Sequence, residues 1–233
     1  MKHLILALQF LTRVPLPSIS AERSDFAAAM RWFPVAGIVV GGFVAMAVWG
    51  LCHIDPWVGA LGGVAAWAWM TGGLHLDGLG DIADAAGAAH KDPARLRDVL
   101  SDPHVGSFGV IAIALQLLAK LVLLRDLDAV FWLVPIAMAA RVGPLVWTLT
   151  LPPLHEGLGT LFRDGVTWRH VALWGAIIAL AAHWAPWLLV AVPAIMIWRM
   201  WIMRRIGGIS GDGHGAGIEL VETALLLSWA AAR

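Results

Sequence analysis

The chain has 233 residues, of which 60% are hydrophobic and only 14% charged, with 14 Trp, no Tyr and a mean hydropathy of +0.78. Sixteen Lys and Arg balance sixteen Asp and Glu, so the basic excess that a nucleic-acid partner would require is absent. A soluble domain averages about 45–50% apolar and about 25% charged residues. The excess here runs along the whole chain, which excludes one leader or one anchor on a soluble body and predicts a polytopic membrane protein. The lone Cys52 excludes an intrachain disulfide and a Cys-cluster metal site.

A bilayer-crossing helix needs about 20 mostly apolar residues. Residues 4–11 are too short to cross and are read as interfacial. Segments 33–52, 57–75, 105–124 and 129–151 meet the requirement. Segment 171–198 is too long for one span and is interrupted by Pro186, so it is read as two short helices joined by a turn around His183–Pro186. Segment 216–232 completes about seven transmembrane helices in an all-α bundle, a single domain over 1–233. The Trp-rich stretches at Trp67–Trp69 and Trp198–Trp201 read as interface belts.

Orientation follows from the Lys and Arg between spans. Segments 1–32, 76–104, 152–170 and 199–215 collect 12 cations against 2 on the other face, which predicts a cytoplasmic N-terminus and an outer C-terminus. Thirteen of the sixteen acids fall on that same face or at the cytoplasmic end of the last span, a concentration that no topogenic rule demands. The cytoplasmic face therefore reads as the site.

Three clusters carry the chemistry. The first is Gly72-Gly73-Leu74-His75-Leu76-Asp77-Gly78-Leu79-Gly80-Asp81-Ile82-Ala83-Asp84. At about 100° per residue, Asp77, Asp81 and Asp84 share one helix face. Three such carboxylates raise one another's pKa unless a cation joins them. Oxygen-only donors suit Mg²⁺ or Mn²⁺, and Mg²⁺ characteristically completes its shell with water and phosphate oxygens. Small neighbours leave room for a bulky ligand, and no Lys or Arg occurs from Thr71 to His90. His75 reads as a ligand, a phosphate donor or an interfacial histidine.

In the second cluster, Asp92 and Pro93 open a short helix that Pro103 ends, with Asp98 and Asp102 on one face. His104, Gly106 and Gly109 follow at the start of a span, where backbone N–H groups could meet phosphate. The third is the glycine-rich run from Gly207 to Glu222, containing Asp212, which lets the backbone approach a ligand closely and lacks the ending of a nucleotide-binding P-loop. Glu219 and Glu222 lie one turn apart in an apolar segment, and Lys120 and Arg141 also fall inside spans. Ionisable groups at membrane depth are functional candidates by default, with an intramembrane ion pair as the alternative.

Phe10-Leu11-Thr12-Arg13-Val14-Pro15-Leu16-Pro17, Phe33-Pro34-Val35-Ala36-Gly37, the Gly72–Asp84 run, Asp102–Gly109 and Gly207–Glu219 together resemble the cobalamin synthase family, in order and over nearly the whole chain. The resemblance implies an adenosylcobinamide-GDP ribazoletransferase of the bacterial inner membrane. Such an enzyme joins adenosylcobinamide-GDP to α-ribazole or its 5′-phosphate, releases GMP and requires Mg²⁺. It implies that the acidic run maps onto Asp77, Asp81 and Asp84 as metal ligands, and the family's Asp-Ser-Arg-x-Gly stretch onto Asp102, Pro103, His104 and Gly106. The family often has Arg where this chain has His104, which would make a phosphate role of that loop pH-dependent.

On this reading, Asp77, Asp81, Asp84 and Glu219 are catalytic candidates. His75, Asp102, His104, Gly106, Lys120, Arg141, Asp212, Glu222 and Arg13 are substrate-binding candidates, and the base is an Asp of the run, Glu219 or His104. The bilayer is a partner and self-association is left open. A phospholipid-type CDP-alcohol phosphotransferase and a transporter are the alternatives. The first is disfavoured by its missing acidic spacing, the second by the absence of an inverted repeat. The orientation has its own test. Cys52 is expected at the outer end of the first span, so an impermeant thiol reagent labels it in intact cells; labelling confined to inside-out vesicles reverses the topology.

Overall fold

A computed structural model describes residues 1–88, 99–100, 104–127, 129–154 and 158–232. Its helices are α1 (Lys2–Leu11), α2 (Arg23–Ala29), α3 (Phe33–Cys52), α4 (Pro56–Thr71), α5 (Leu74–Ala88) and α6 (Ser107–Arg125). They continue with α7 (Leu133–Ala140), α8 (Gly143–Thr150), α9 (Leu158–Gly165), α10 (Trp168–Ala181), α11 (Ala191–Arg205) and α12 (Gly211–Ala231). No strand occurs among the described residues. A single β-bridge between Pro153 and Ile209 ties the segment after α8 to the one before α12. The expected short helix bearing Asp92, Asp98 and Asp102, together with His90 and His155, lies outside the described residues.

Among the described residues, four helical stretches are long and apolar enough to cross a membrane: Arg23–Cys52, Ser107–Arg125, Val130–Thr150 and Pro186–Arg205. The expected spans 33–52, 105–124 and 129–151 fall on the first three. Segment 171–198 divides as expected into α10, a turn, a 3₁₀ turn at Pro186–Val190 and α11. Large apolar side chains on the outside include Leu115, Leu118 and Val122 of α6. In water they would form an untenable patch; against lipid they are the expected surface.

Three expected boundaries move, each for a local reason. The 57–75 span stops at Thr71, because Gly72 and Gly73 take φ values of 63° and 76°. That left-handed pair costs a residue with a Cβ about 1–2 kcal/mol each. It ends α4 and re-aims the chain, so His75 belongs to α5. The 129–151 span breaks between α7 and α8, where Pro144 has no N–H to continue the ladder and Arg141 and Val142 close tighter bonds to Met138 and Ala139. The last helix begins at Gly211 rather than at 216, because Ser210 accepts a hydrogen bond from the Gly213 N–H at 3.0 Å and caps it.

Glycines set the interhelical distances. On α3, Gly37 and Gly41 lie one turn apart against the backbone of α7, where a Cβ on Gly41 would sit 2.7 Å from Val134 Cα and closer still to the Leu133 carbonyl. Small residues at this spacing let helix backbones approach in a bilayer, where no hydrophobic force drives the helices together. Backbone cannot step aside as a flexible side chain can. Gly41→Leu is therefore expected to destabilise by about 3 kcal/mol or more, read as a lower midpoint of thermal unfolding in detergent; Gly42→Leu, which meets open space, leaves it near the wild-type value.

Candidate active site

Helix α5 carries the acidic face and is held on three sides. After the glycine pair, Asp77 N–H closes the first turn onto the Gly73 carbonyl at 2.9 Å. Gly78 lies against the start of α12, where a Cβ would come 2.8 Å from the Cα of Asp212. Gly80 faces Gly109 and Ile113 of α6, and Gly215 of α12 packs against the backbone of His75. Gly78 and Gly80 thus seat α5 against α12 and α6 rather than make room for a ligand, while Ala83 and Ala86 line an apolar cavity of about 640 Å³. The glycine-rich run at 211–217 acts likewise: it is helical, with Gly217 under Trp147 and Trp198 and Gly213 under Ile202.

The three acids of α5 have different surroundings. Asp84 is buried and uses both carboxylate oxygens: Gly106 N–H donates to Oδ2 at 2.7 Å and Gly109 N–H to Oδ1 at 2.9 Å. It thus satisfies the orphan donors at the start of α6 and opposes the positive end of that helix. Gly106 and Gly109 leave no room for a side chain beside it. The expected phosphate-docking helix start is occupied by a carboxylate of the protein itself. Asp77 is exposed and Asp81 half-buried. Burial, together with the charges of Asp77, Asp212 and Asp84, pushes the Asp81 carboxyl up to about 6. The structure therefore brings Asp212 into the field of the α5 acids.

Asp77 lines a cleft of about 620 Å³ with Arg13, Gln9, Thr12 and the Gly72–Gly73 turn. Arg13 is held by its N–H bond to the Met70 carbonyl at 2.7 Å, and its guanidinium lies over Gly72, where any Cβ would collide with it. Cation, carboxylate and open backbone turn thus share one polar cavity. Gln9 and Thr12 were not anticipated as lining residues; the sequence offers only their position beside Arg13.

The buried charges form a separate group. Lys120 donates to Glu219 at 2.7 Å and to Glu222 at 2.6 Å, and Arg141 donates to Glu222 at 2.7 Å. Gln116 donates to Glu219 Oε2 at 2.8 Å, and Lys120 sits 4.0 Å from the centroid of the Trp67 ring. All four charged side chains are at most 2% exposed, and their charges sum to zero. None of them lines the Asp77 cleft. The ion pair weighed from sequence forms and links Glu219, Glu222, Lys120 and Arg141 to one another, while Arg141 Nε and Nη2 are buried without a hydrogen-bond partner. Gln116 was missed; a lone amide four residues before Lys120 in an apolar helix is the signal that could have found it. His75 is buried outside the cleft, its ring nitrogens without a hydrogen-bond partner, while His104 is exposed near Gly106.

Among the described residues no three His, Cys, Asp or Glu side chains converge closely enough to hold a metal ion as a set. The donor chemistry nonetheless fits a hard cation. Asp77 and Asp81 stand one turn apart with Asp212 in electrostatic reach, and Mg²⁺ characteristically takes only one or two protein carboxylates. Asp84 accepts one hydrogen bond on each oxygen, both from the start of α6.

These features define an all-helical membrane protein with an acid-bearing helix beside a polar, cation-lined cleft. Residues 3–230 match the family model described as cobalamin-5-phosphate synthase, and the chain belongs to that family. It is 55% identical to the adenosylcobinamide-GDP ribazoletransferase of Novosphingobium aromaticivorans over 98% of this chain and 96% of that protein. It is 52% identical to that of Thiobacillus denitrificans over 97% and 94%, and 51% identical to that of Laribacter hongkongensis over 97% and 96%. No solved structure matches the chain.

Asp84 and Asp81 are separable by stability. Asp84→Ala leaves two N–H groups at the start of α6 unpaired and is expected to cost about 2 kcal/mol. Asp81→Ala relieves like-charge repulsion and leaves the thermal midpoint in detergent unchanged or raised. A drop for Asp81→Ala equal to that for Asp84→Ala would contradict this division.

Proposed function

We propose that this chain transfers the cobinamide-phosphate moiety of adenosylcobinamide-GDP to α-ribazole or its 5′-phosphate and releases GMP, the last step of cobalamin nucleotide-loop assembly. The names of the relatives at 51–55% identity support the substrates. The observation that carries the reading to particular residues is the cleft in which Asp77 and Arg13 meet beside Asp81.

Asp77 and Asp81, with Asp212 nearby, are the residues that would hold Mg²⁺. When bound, the cation would neutralise pyrophosphate oxygens and stabilise the departing phosphate. The chain's own groups do the rest. Arg13 orients the pyrophosphate through its guanidinium and offsets developing negative charge. The Gly72–Gly73 turn lets a large substrate approach the backbone. A ribose hydroxyl of α-ribazole attacks the phosphorus carrying the cobinamide side chain; the new P–O bond forms as the bond to the GMP oxygen breaks. An Asp of the run or His104 accepts the hydroxyl proton. Glu219 is not used, because Lys120 and Gln116 hold it.

The membrane arrangement belongs to the same proposal. The four long apolar stretches, joined by α4, α10 and α12, make seven passes. The N-terminus lies in the cytoplasm, and the cleft opens on the cytoplasmic side of the inner membrane.

The test is GMP release by the full chain, purified and reconstituted in lipid, from adenosylcobinamide-GDP plus α-ribazole. Release is expected to stop on chelation and to return with Mg²⁺. Asp77→Ala and Asp81→Ala each lower kcat by about 10²–10³-fold or more while the protein still inserts. Full activity in either variant, or activity indifferent to chelation, overturns the metal assignment. No GMP from these substrates overturns the function.

A further inference from the structure

A second polar cavity, of about 480 Å³, lies between α2 and the turn that joins α9 to α10. It shares no lining residue with the Asp77 cleft. Its walls are set by backbone packing: Gly165 at the end of α9 is pressed onto the Ala27 carbonyl of α2, leaving no room for a Cβ. The charged residues lining it are Arg23 and Arg31 against the single carboxylate of Asp164, with Ser24, Thr167 and His170 as neutral polar groups. Arg163 and Arg169 flank it in sequence and are exposed.

The donors are positioned from behind. Arg31 Nη2 donates to His3 Nδ1 at 2.7 Å, so His3 carries its proton on Nε2, which lies 3.2 Å from Asp25 Oδ1; Lys2 binds the same carboxylate. Arg31 is thereby anchored by one nitrogen, while its Nε is buried without a hydrogen-bond partner. His170 Nδ1 accepts the Thr167 backbone N–H at 3.1 Å, which places the ring proton on Nε2 as a further donor. The Thr167 hydroxyl also donates to His170 Nδ1, at 3.2 Å, so two guanidinium groups, an imidazole N–H and the Ser24 hydroxyl form a donor set suited to the oxygens of a phosphate.

With the membrane arrangement proposed above, on which this step rests, the set falls at a membrane edge. Helix α10 leaves the cavity with Trp168, Leu173 and Leu180 more than half exposed, an apolar face fit for lipid. Basic pockets between membrane helices on the cytoplasmic side recognise anionic headgroups. We infer that the pocket between α2 and the α9–α10 turn binds a phosphate group, presented by an anionic phospholipid headgroup or by a soluble phosphate ester. The inference is independent of the chemistry assigned to the Asp77 cleft.

The experiment uses the full chain in detergent, read by binding affinity and thermal midpoint. The probes are short-chain phosphatidylglycerol, short-chain phosphatidylcholine, and sodium phosphate against chloride at constant ionic strength. A lipid site gives phosphatidylglycerol at least about tenfold tighter than phosphatidylcholine; a soluble-ester site gives a midpoint raised by phosphate over chloride. In either case Arg23→Gln, at an exposed position that does not threaten folding, and Arg31→Gln are expected to abolish the response. Arg204→Gln, a cation at the end of α11, leaves it intact. No preference for either phosphate probe, a response that survives Arg23→Gln, or an equal loss in Arg204→Gln overturns the site.

Discussion

A charge inside a bilayer must be neutralised on the spot, and the group formed by Lys120, Arg141, Glu219 and Glu222 meets that demand. Removing one partner of a buried pair typically costs about 3–5 kcal/mol, because the other is left charged and dry. The four residues come from α6, the α7–α8 break and α12, so pairing them fixes those three elements together. Helix α5 then lies against α6 and α12 through Gly78, Gly80 and Gly215. The acidic face owes its position to a network that has no part in the cleft.

Two uses of carboxylates therefore coexist within a short distance. In the bundle they neutralise cations and hold helices. On α5 they act on one another, and Asp81 shows it: its carboxyl is pushed up by burial and by Asp77, Asp212 and Asp84. Asp84 belongs to both worlds, since it lies on the acidic face yet serves as the cap of α6. A local cluster of like charges is costly to a fold and useful to a site that binds a cation with a phosphate.

Much of this was legible in the chain. The apolar excess gave the helical membrane class, Phe33–Cys52 was bounded correctly by its composition, and the Pro186 break was visible. The spacing of Asp77, Asp81 and Asp84 identified the acidic helix. What periodicity could not show is where a carboxylate spends its oxygens: Asp84 and Asp81 look alike in sequence, and only the return of the chain at Gly106 separates them. Glycines were ambiguous for the same reason, since a position that admits a ligand also admits a helix. The pairing of Lys120 and Arg141 with the two glutamates could be weighed as an alternative but not decided, because these contacts span 81–102 positions.

The bond from Gly106 to Asp84 joins residues 22 positions apart, so the chain leaves α5 and comes back to the place it left. One carboxylate near the end of α5 clamps both Gly106 and Gly109 at the start of α6. The entropy of closing such a loop grows only logarithmically with its length, about 0.6 kcal/mol for each doubling. The seat of α6 on α5 thus hangs on the two oxygens of one carboxylate, a cross-link made of hydrogen bonds between distant parts of the chain.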